Sequence, residues 1–190
     1  MTQPASLRAI GEPPSWELGE FSLRPLRPGD EVAWTQYLSD PRVTEHTSFP
    51  AIDLATVADS LRRHISDYSS STSCRWALAS RDDRLIGTCG FSNWSLVHSH
   101  AELVYDLAPA YWRRGYMTLA VRTVLAWAFI NAAFNRVHAV VMTSNLPSVA
   151  LLEKCGFTRE GILRQYRLAH GVPQDFYMYS LLRAEFGAGR

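Results

Sequence analysis

Three short stretches carry the residue types that do chemistry. "PAYWRRGYM" (109–117) places two adjacent arginines, Arg113 and Arg114, and then Gly115 just before a long apolar run. A basic, glycine-containing turn at a helix start aims backbone N–H groups and the positive end of the helix dipole at an anion. The same residues also read as an ordinary strand-to-helix loop with a surface arginine pair. "NLPS" (145–148) opens a second helical stretch with Asn145 and Ser148 in or beside its first turn. "HAELVYD" (100–106) alternates like a strand: Glu102 and Asp106 share one face with His100, and Ala101, Leu103, Tyr105 and Leu107 share the other. Carboxylates on a covered sheet face need a reason, either acid–base work or the binding of a cation.

Other chemistries find less support. Cys74, Cys89 and Cys155 are widely spaced, odd in number and form no C-x-x-C. Neither a disulfide framework nor a metal site is expected, and a reducing cytoplasm is. Among the histidines, His46 could border a pocket from its loop. His64 is expected on a solvated helix face, His138 inside an apolar strand, and His98 and His170 in loops. Nineteen basic against eighteen acidic residues give a net charge of +1, no field for nucleic acid or an anionic membrane. Arg122 interrupts the longest apolar run, so no membrane span is expected, and the first twenty residues lack the apolar centre of a secretory signal.

The periodicities place these stretches on elements. A chain of 190 residues is read as an extended lead-in (1–20), one domain (21–185) and a short tail (186–190). "FSLRPLR" alternates as a strand. A helix starts at Gly29–Asp30 and is bounded by Pro41. A second runs over 53–68 with Asp53 as its N-cap, followed by the polar linker "YSSSTS". "CRWALAS" and "LIGTCGFSNW" form a hairpin, and "HAELVYDLAP" is the next strand. A helix over 117–133, the strand "RVHAVVM", a helix closed by Gly156 and two last strands complete the order βααβββαβαββ. This is an α/β chain with a mixed sheet covered by helices on both faces. Both polar helix starts fall where neighbouring strands end, the usual ligand position in such a sheet.

"AELVYDLAPAYWRRGYMTLA" and "NLPSVALLEKCGFTREG", in that order, resemble the coenzyme motifs of the GNAT superfamily of acyl-CoA N-acyltransferases, and among its branches the RimJ/RimL-type group. The element order agrees from about Phe21 to Leu182. The resemblance implies a single domain with a twisted, mostly antiparallel mixed sheet of about seven strands. It implies that the turn holds the pyrophosphate of coenzyme A at Arg113, Arg114, Gly115, Tyr116, Met117 and Thr118. It further implies that Asn145 touches the pantetheine arm, that Ser148 lies near the thioester sulfur, and that a strand-edge N–H around Asp106 or Leu107 faces the oxyanion. Glu102 and Asp106 are the candidates for base or amine binding.

Three positions depart from the family pattern. Trp112 stands where the turn usually has Gln or Arg. Met117 stands where a small residue is usual, which would narrow the pyrophosphate bed. Leu152 falls where many relatives have a proton-donating Tyr. Some relatives also carry a carboxylate where Arg167 stands. The implied activity is transfer of an acetyl group from acetyl-CoA to an amine acceptor, either a peptide N-terminus or a small amine. No metal, nucleic acid or membrane takes part, and a homodimer is left open. A larger acyl group such as succinyl, or a non-catalytic acyl-CoA sensor, are the alternatives.

Overall fold

The computed structural model describes residues 13–48, 52–66, 73–132 and 134–187. The expectations for the first twelve residues, most of the "YSSSTS" linker and the last three residues lie outside them. Eight strands form one sheet: β1 (Trp16–Glu17), β2 (Phe21–Pro25), β3 (Cys74–Ser80), β4 (Leu85–Ser95), β5 (His100–Leu107), β6 (Arg136–Met142), β7 (Thr158–Ala169) and β8 (Val172–Leu182), in the order β1-β2-β3-β4-β5-β6-β8-β7. All neighbours are antiparallel except β5 and β6. The helices are α1 (Asp30–Leu38), the single turn α2 (Pro41–Thr44), α3 (Leu54–Ser66), α4 (Tyr116–Ile130) and α5 (Leu146–Lys154).

The eighth strand lies in the segment read as a lead-in. Trp16 pairs with Leu23 and packs 5.6 Å from the ring of Trp76, whose indole N–H donates to the Pro14 carbonyl. Two residues are too short to show alternation, so this strand has no signature in the sequence. At the other end Phe186 packs 5.1 Å from Phe129, so part of the expected tail belongs to the core. Pro41 does more than bound α1. It begins α2, where its missing N–H costs nothing, with Asp40 capping the turn through the Arg42 N–H.

Two apolar layers sandwich the sheet. On one face α4 buries Met117, Ala120, Val121, Val124, Leu125 and Ala128 against Leu103, Val137 and the Trp76–Phe91–Trp127 aromatic group. On the other face α1 and α3 bury Trp34, Tyr37, Val57 and Leu61 against Ala77 and Leu85. Asp53 caps α3 by accepting the Thr56 N–H at 2.7 Å. Gly156 closes α5 at φ +90°, with the Phe157 N–H reaching back to the Leu152 carbonyl.

His64 is not on a solvated face. Its ring stacks on Trp34 at 6.1 Å, and its Nδ1 is buried with no hydrogen-bond partner among the described residues. Burial, with Arg75 and Arg63 nearby, pushes its pKa down to about 3. The folded state therefore favours the neutral ring. The stability this contributes is complete above about pH 6.5 and is lost as pH falls toward 3. The melting temperature of wild type should fall more between pH 6.5 and 4 than that of His64→Phe. Parallel slopes in a pH series of thermal melts would show that the ring charges freely in the fold.

Candidate active site

The site begins where hydrogen bonding stops. β5 and β6 pair in parallel only through His100↔Arg136, Ala101↔Val137 and Glu102↔His138. Beyond that point β5 stays registered on β4 as far as Leu107, and β6 on β8 as far as Met142. The two strands therefore separate toward their C-terminal ends and leave a gap in mid-sheet. The Ala108 N–H donates to the Ile86 carbonyl of β4 at 2.8 Å. Strand alternation then turns the N–H of Asp106 toward β4 as well, and those of Tyr105 and Leu107 toward the gap. Of the two oxyanion candidates, Leu107 has the backbone N–H that faces the opening.

The turn from β5 to α4 sits at the wide end of this gap. Arg113 (φ +60°) and Gly115 (φ +80°) are both left-handed. Arg113, Arg114 and Gly115 are exposed, and Gly115 occupies the α4 N-cap with no side chain capping the helix. The N–H groups of Tyr116, Met117 and Thr118 are thus the unpaired first-turn donors of α4. A Cβ on Gly115 would meet nothing within 4 Å, so space for an approaching anion exists there.

Trp112 takes up a different task from the Gln or Arg of the family pattern: its indole N–H donates to the Leu107 carbonyl at 2.7 Å. That bond ties the turn to the last residue of β5. The Met117 side chain does not lie on the exposed side of the turn. It is buried beneath α4 in the core, because helical geometry turns this position inward and leaves only its N–H on the anion side. Tyr116 stacks on Phe21 at 4.9 Å and donates to Glu20 at 2.5 Å, anchoring the helix start to β2.

On the α4–α5 face the gap is bridged by Tyr105 of β5 and Ser148 of α5, whose hydroxyl oxygens are 2.5 Å apart. Asn145 caps α5, its side-chain oxygen accepting the Ser148 N–H at 3.2 Å. Its amide group donates to the His46 carbonyl at 3.3 Å, and the His46 ring meets the Ser144 hydroxyl at 3.2 Å. The loop carrying His46 is thereby fastened to the start of α5. Burial pushes the Tyr105 phenol up, so it stays protonated. Tyr105 was missed as a site residue because its place on the apolar strand face reads as core. What marks it is a hydroxyl on that face two residues before the turn.

The opposite face holds both carboxylates, in different surroundings. Asp106 is buried and accepts hydrogen bonds from Tyr37, Thr88 (2.9 Å) and Arg75. Arg75 in turn donates to Thr88 at 2.6 Å and lies 5.1 Å over the Trp34 ring. Burial and the Asp106 charge push the Tyr37 phenol well up, which keeps it a donor. Three donors from three elements occupy this carboxylate and join β5 to β3, β4 and α1. That geometry is one of support, and it leaves Asp106 no evident room to take a substrate proton.

Glu102 lies beside the last β5–β6 pair. It accepts from Asn93 at 2.9 Å and from Arg167 at 3.1 Å. The Arg167 that replaces a carboxylate of some relatives thus reaches Glu102 itself. His138 is its direct neighbour across the ladder, and burial holds that imidazole below its ordinary pKa despite the Glu102 charge. The described residues contain no group of three His, Cys, Asp or Glu side chains able to hold a metal ion, and no helix among them is long and apolar enough to cross a membrane.

A split mixed sheet with a helix N-terminus at the mouth of the split defines a class, and comparison with known proteins agrees. The profile of the acetyltransferase (GNAT) domain matches residues 20–158. The chain is 34% identical over 169 residues to "Uncharacterized N-acetyltransferase p20" of Bacillus licheniformis, covering 87% of this chain and 94% of that one. It is 32% identical to "Uncharacterized N-acetyltransferase YoaA" of Bacillus subtilis, covering 90% and 97%. Among solved structures, a ribosomal-protein-S5-alanine acetyltransferase from Vibrio fischeri superposes with a TM-score of 0.82 at 19% identity, covering 92% of this chain and 99% of that one. A spermidine N-acetyltransferase from Vibrio cholerae, solved with CoA and spermine, gives 0.77 at 22% identity, covering 87% and 97%. The chain belongs to the GNAT acetyltransferase family. It carries that family's acyl-CoA-dependent transfer to an amine acceptor.

Two substitutions separate the turn from the support. Gly115→Val should weaken coenzyme A binding by at least about tenfold in calorimetry. Its folding cost should stay near the ~1–2 kcal/mol of a left-handed non-glycine residue. Unchanged affinity would remove the turn from the site. Asp106→Asn should lower unfolding free energy by about 3 kcal/mol, because Arg75 is left buried without its counter-charge. A denaturant midpoint equal to wild type would refute that role.

Proposed function

We propose that the chain transfers an acetyl group from acetyl-CoA to the primary amine of a small molecule or a peptide N-terminus, in the cytoplasm, by direct attack on the thioester. The observation that carries this reading is the gap between β5 and β6. It has anion-seeking N–H groups at its wide end, hydroxyls on one side and a carboxylate on the other. The first-turn N–H groups of α4, with Arg113 and Arg114, hold the pyrophosphate. The pantetheine arm runs down the gap past Asn145 and the Leu107 N–H, and the Tyr105 N–H, which also faces the gap and lies nearer Glu102, meets the thioester oxygen as it becomes an oxyanion.

Attack needs a neutral amine, since a free ammonium titrates near ~10. Glu102 binds the incoming ammonium and accepts its proton, with the neutral His138 ring beside it. The amine nitrogen then bonds to the carbonyl carbon, the C–S bond breaks, and the nitrogen gives up its second proton to solvent. The departing thiolate takes a hydrogen bond or proton from the Ser148 hydroxyl. Tyr105 donates its own proton to the Ser148 oxygen and so leaves the serine hydrogen directed at sulfur. This division of labour replaces the helix tyrosine absent at Leu152.

Ser148→Ala should reduce kcat about 10- to 100-fold with little change in the KM for acetyl-CoA, the worth of one hydrogen bond to a charged group. Tyr105→Phe should move kcat in the same direction. Glu102→Gln should lose most activity at low pH and regain part of it as free amine becomes available. Thiol release over peptides, amino acids, amino sugars and polyamines measures all three. Tight acetyl-CoA binding with no turnover on any acceptor would instead establish a sensor.

A further inference from the structure

The mouth of the site on the Glu102 face is closed by a contact made to separate. Arg167 reaches from β7 across the gap and touches Glu102 through one N–H only. Some arginine–carboxylate pairs of the fold are held by two nitrogens, as Arg24 holds Asp30 and Arg136 holds Glu160; the Arg167–Glu102 pair is not. The remaining N–H groups of Arg167 have no protein partner among the described residues. Its guanidinium rests 5.0 Å from the Tyr166 ring and 5.8 Å from the Phe176 ring. The Arg167 side chain is 35% exposed, whereas that of Glu102 is 8% exposed. This contact is partly buried and one-point, and Glu102 keeps its bond from Asn93 when Arg167 moves away. Once it opens, the face offers one buried carboxylate and one guanidinium on a flexible arm, a few ångströms apart.

The charge on this face narrows the acceptor further. Its two β5 carboxylates are Glu102 and Asp106, and Asp106 is committed to Arg75, Thr88 and Tyr37. Arg75 is neutralised by the same Asp106, so a polyamine would bring several positive charges to one available carboxylate and one arginine. A simple amine would take Glu102 from Arg167 and leave the guanidinium without its counter-charge. A molecule carrying both an ammonium and a carboxylate satisfies both partners and adds no net charge.

We propose that the acceptor is a zwitterion of the α-amino acid type, which splits the Arg167–Glu102 pair and sets its amine on Glu102 and its carboxylate on Arg167. The proposal rests on reading this gap as the amine-acceptor site. Free amino acids should be acetylated with kcat/KM at least about tenfold above their own amides and decarboxylated amines, and above spermidine. That factor matches one charge-assisted hydrogen bond. Arg167→Gln should erase the ratio by slowing the amino acids alone, and Arg167→Lys should restore part of it.

Amides or spermidine reacting as fast as free amino acids would overturn the proposal and leave acetyl transfer standing. So would an Arg167→Gln enzyme slowed equally on every acceptor. If no acceptor turns over, calorimetry of amino acids with the CoA-loaded protein decides. Binding lost in Arg167→Gln supports the zwitterion pocket while refuting catalysis, and no binding to wild type refutes the pocket.

Discussion

Every functional feature of this protein depends on a parallel ladder that is only three pairs long. β5 and β6 are each held on their outer side by an antiparallel partner, β4 and β8, over nearly their whole length. Only the contact between them is short. Because antiparallel pairing on the outside satisfies each strand, the two can follow their own twist and part without unravelling the sheet. The inner edge of β5 is then left with backbone N–H groups facing a gap. An interior edge of this kind would ordinarily be a defect. Here it leaves directional donors open on one side of the gap, and the α4 N-terminus adds further donors at its mouth.

The two faces of the gap are equipped differently, and β5 is the reason. Its alternation sends Tyr105 to the α4–α5 face and Glu102 and Asp106 to the α1–α3 face. A hydroxyl pair therefore spans the opening on one side, and an arginine–carboxylate contact spans it on the other. The hydroxyl pair and the carboxylate are separated by the thickness of one strand. Asp106, the residue after Tyr105, is held by donors from three elements, so the stretch of β5 that lines the gap is braced from below. The Trp112 bond to the Leu107 carbonyl braces it from the turn.

These restraints also explain why the departures from the family pattern are tolerable. Trp112 replaces a polar residue of the turn but spends its one N–H on β5. Met117 replaces a small residue but is rotated into the core, where bulk is favourable. The tyrosine missing at Leu152 has a counterpart in Tyr105, a hydroxyl delivered from a strand rather than a helix.

Local periodicity and turn chemistry determined much of this protein by themselves. The alternation of 100–107, the apolar run after Gly115, the Asn145 cap and the Gly156 stop are all written in nearest-neighbour terms. From them follow the long strands, α3 to α5 and the place of the basic turn before α4. The packing of the two-residue β1 and the burial of His64 were not legible, since each depends on a partner far along the chain, Trp76 and Trp34; the turn begun by Pro41 is local, but in the sequence the proline reads only as a stop. The same holds within the site. That Glu102 and Asp106 share a face was readable from their spacing. That one is sealed by Tyr37, Thr88 and Arg75 and the other meets Asn93 and Arg167 was not. Spacing determines the direction in which a side chain points, but its protonation chemistry is set by the charges it meets, and tertiary packing alone brought Arg75, 31 residues away, to one carboxylate and Arg167, 65 residues away, to the other.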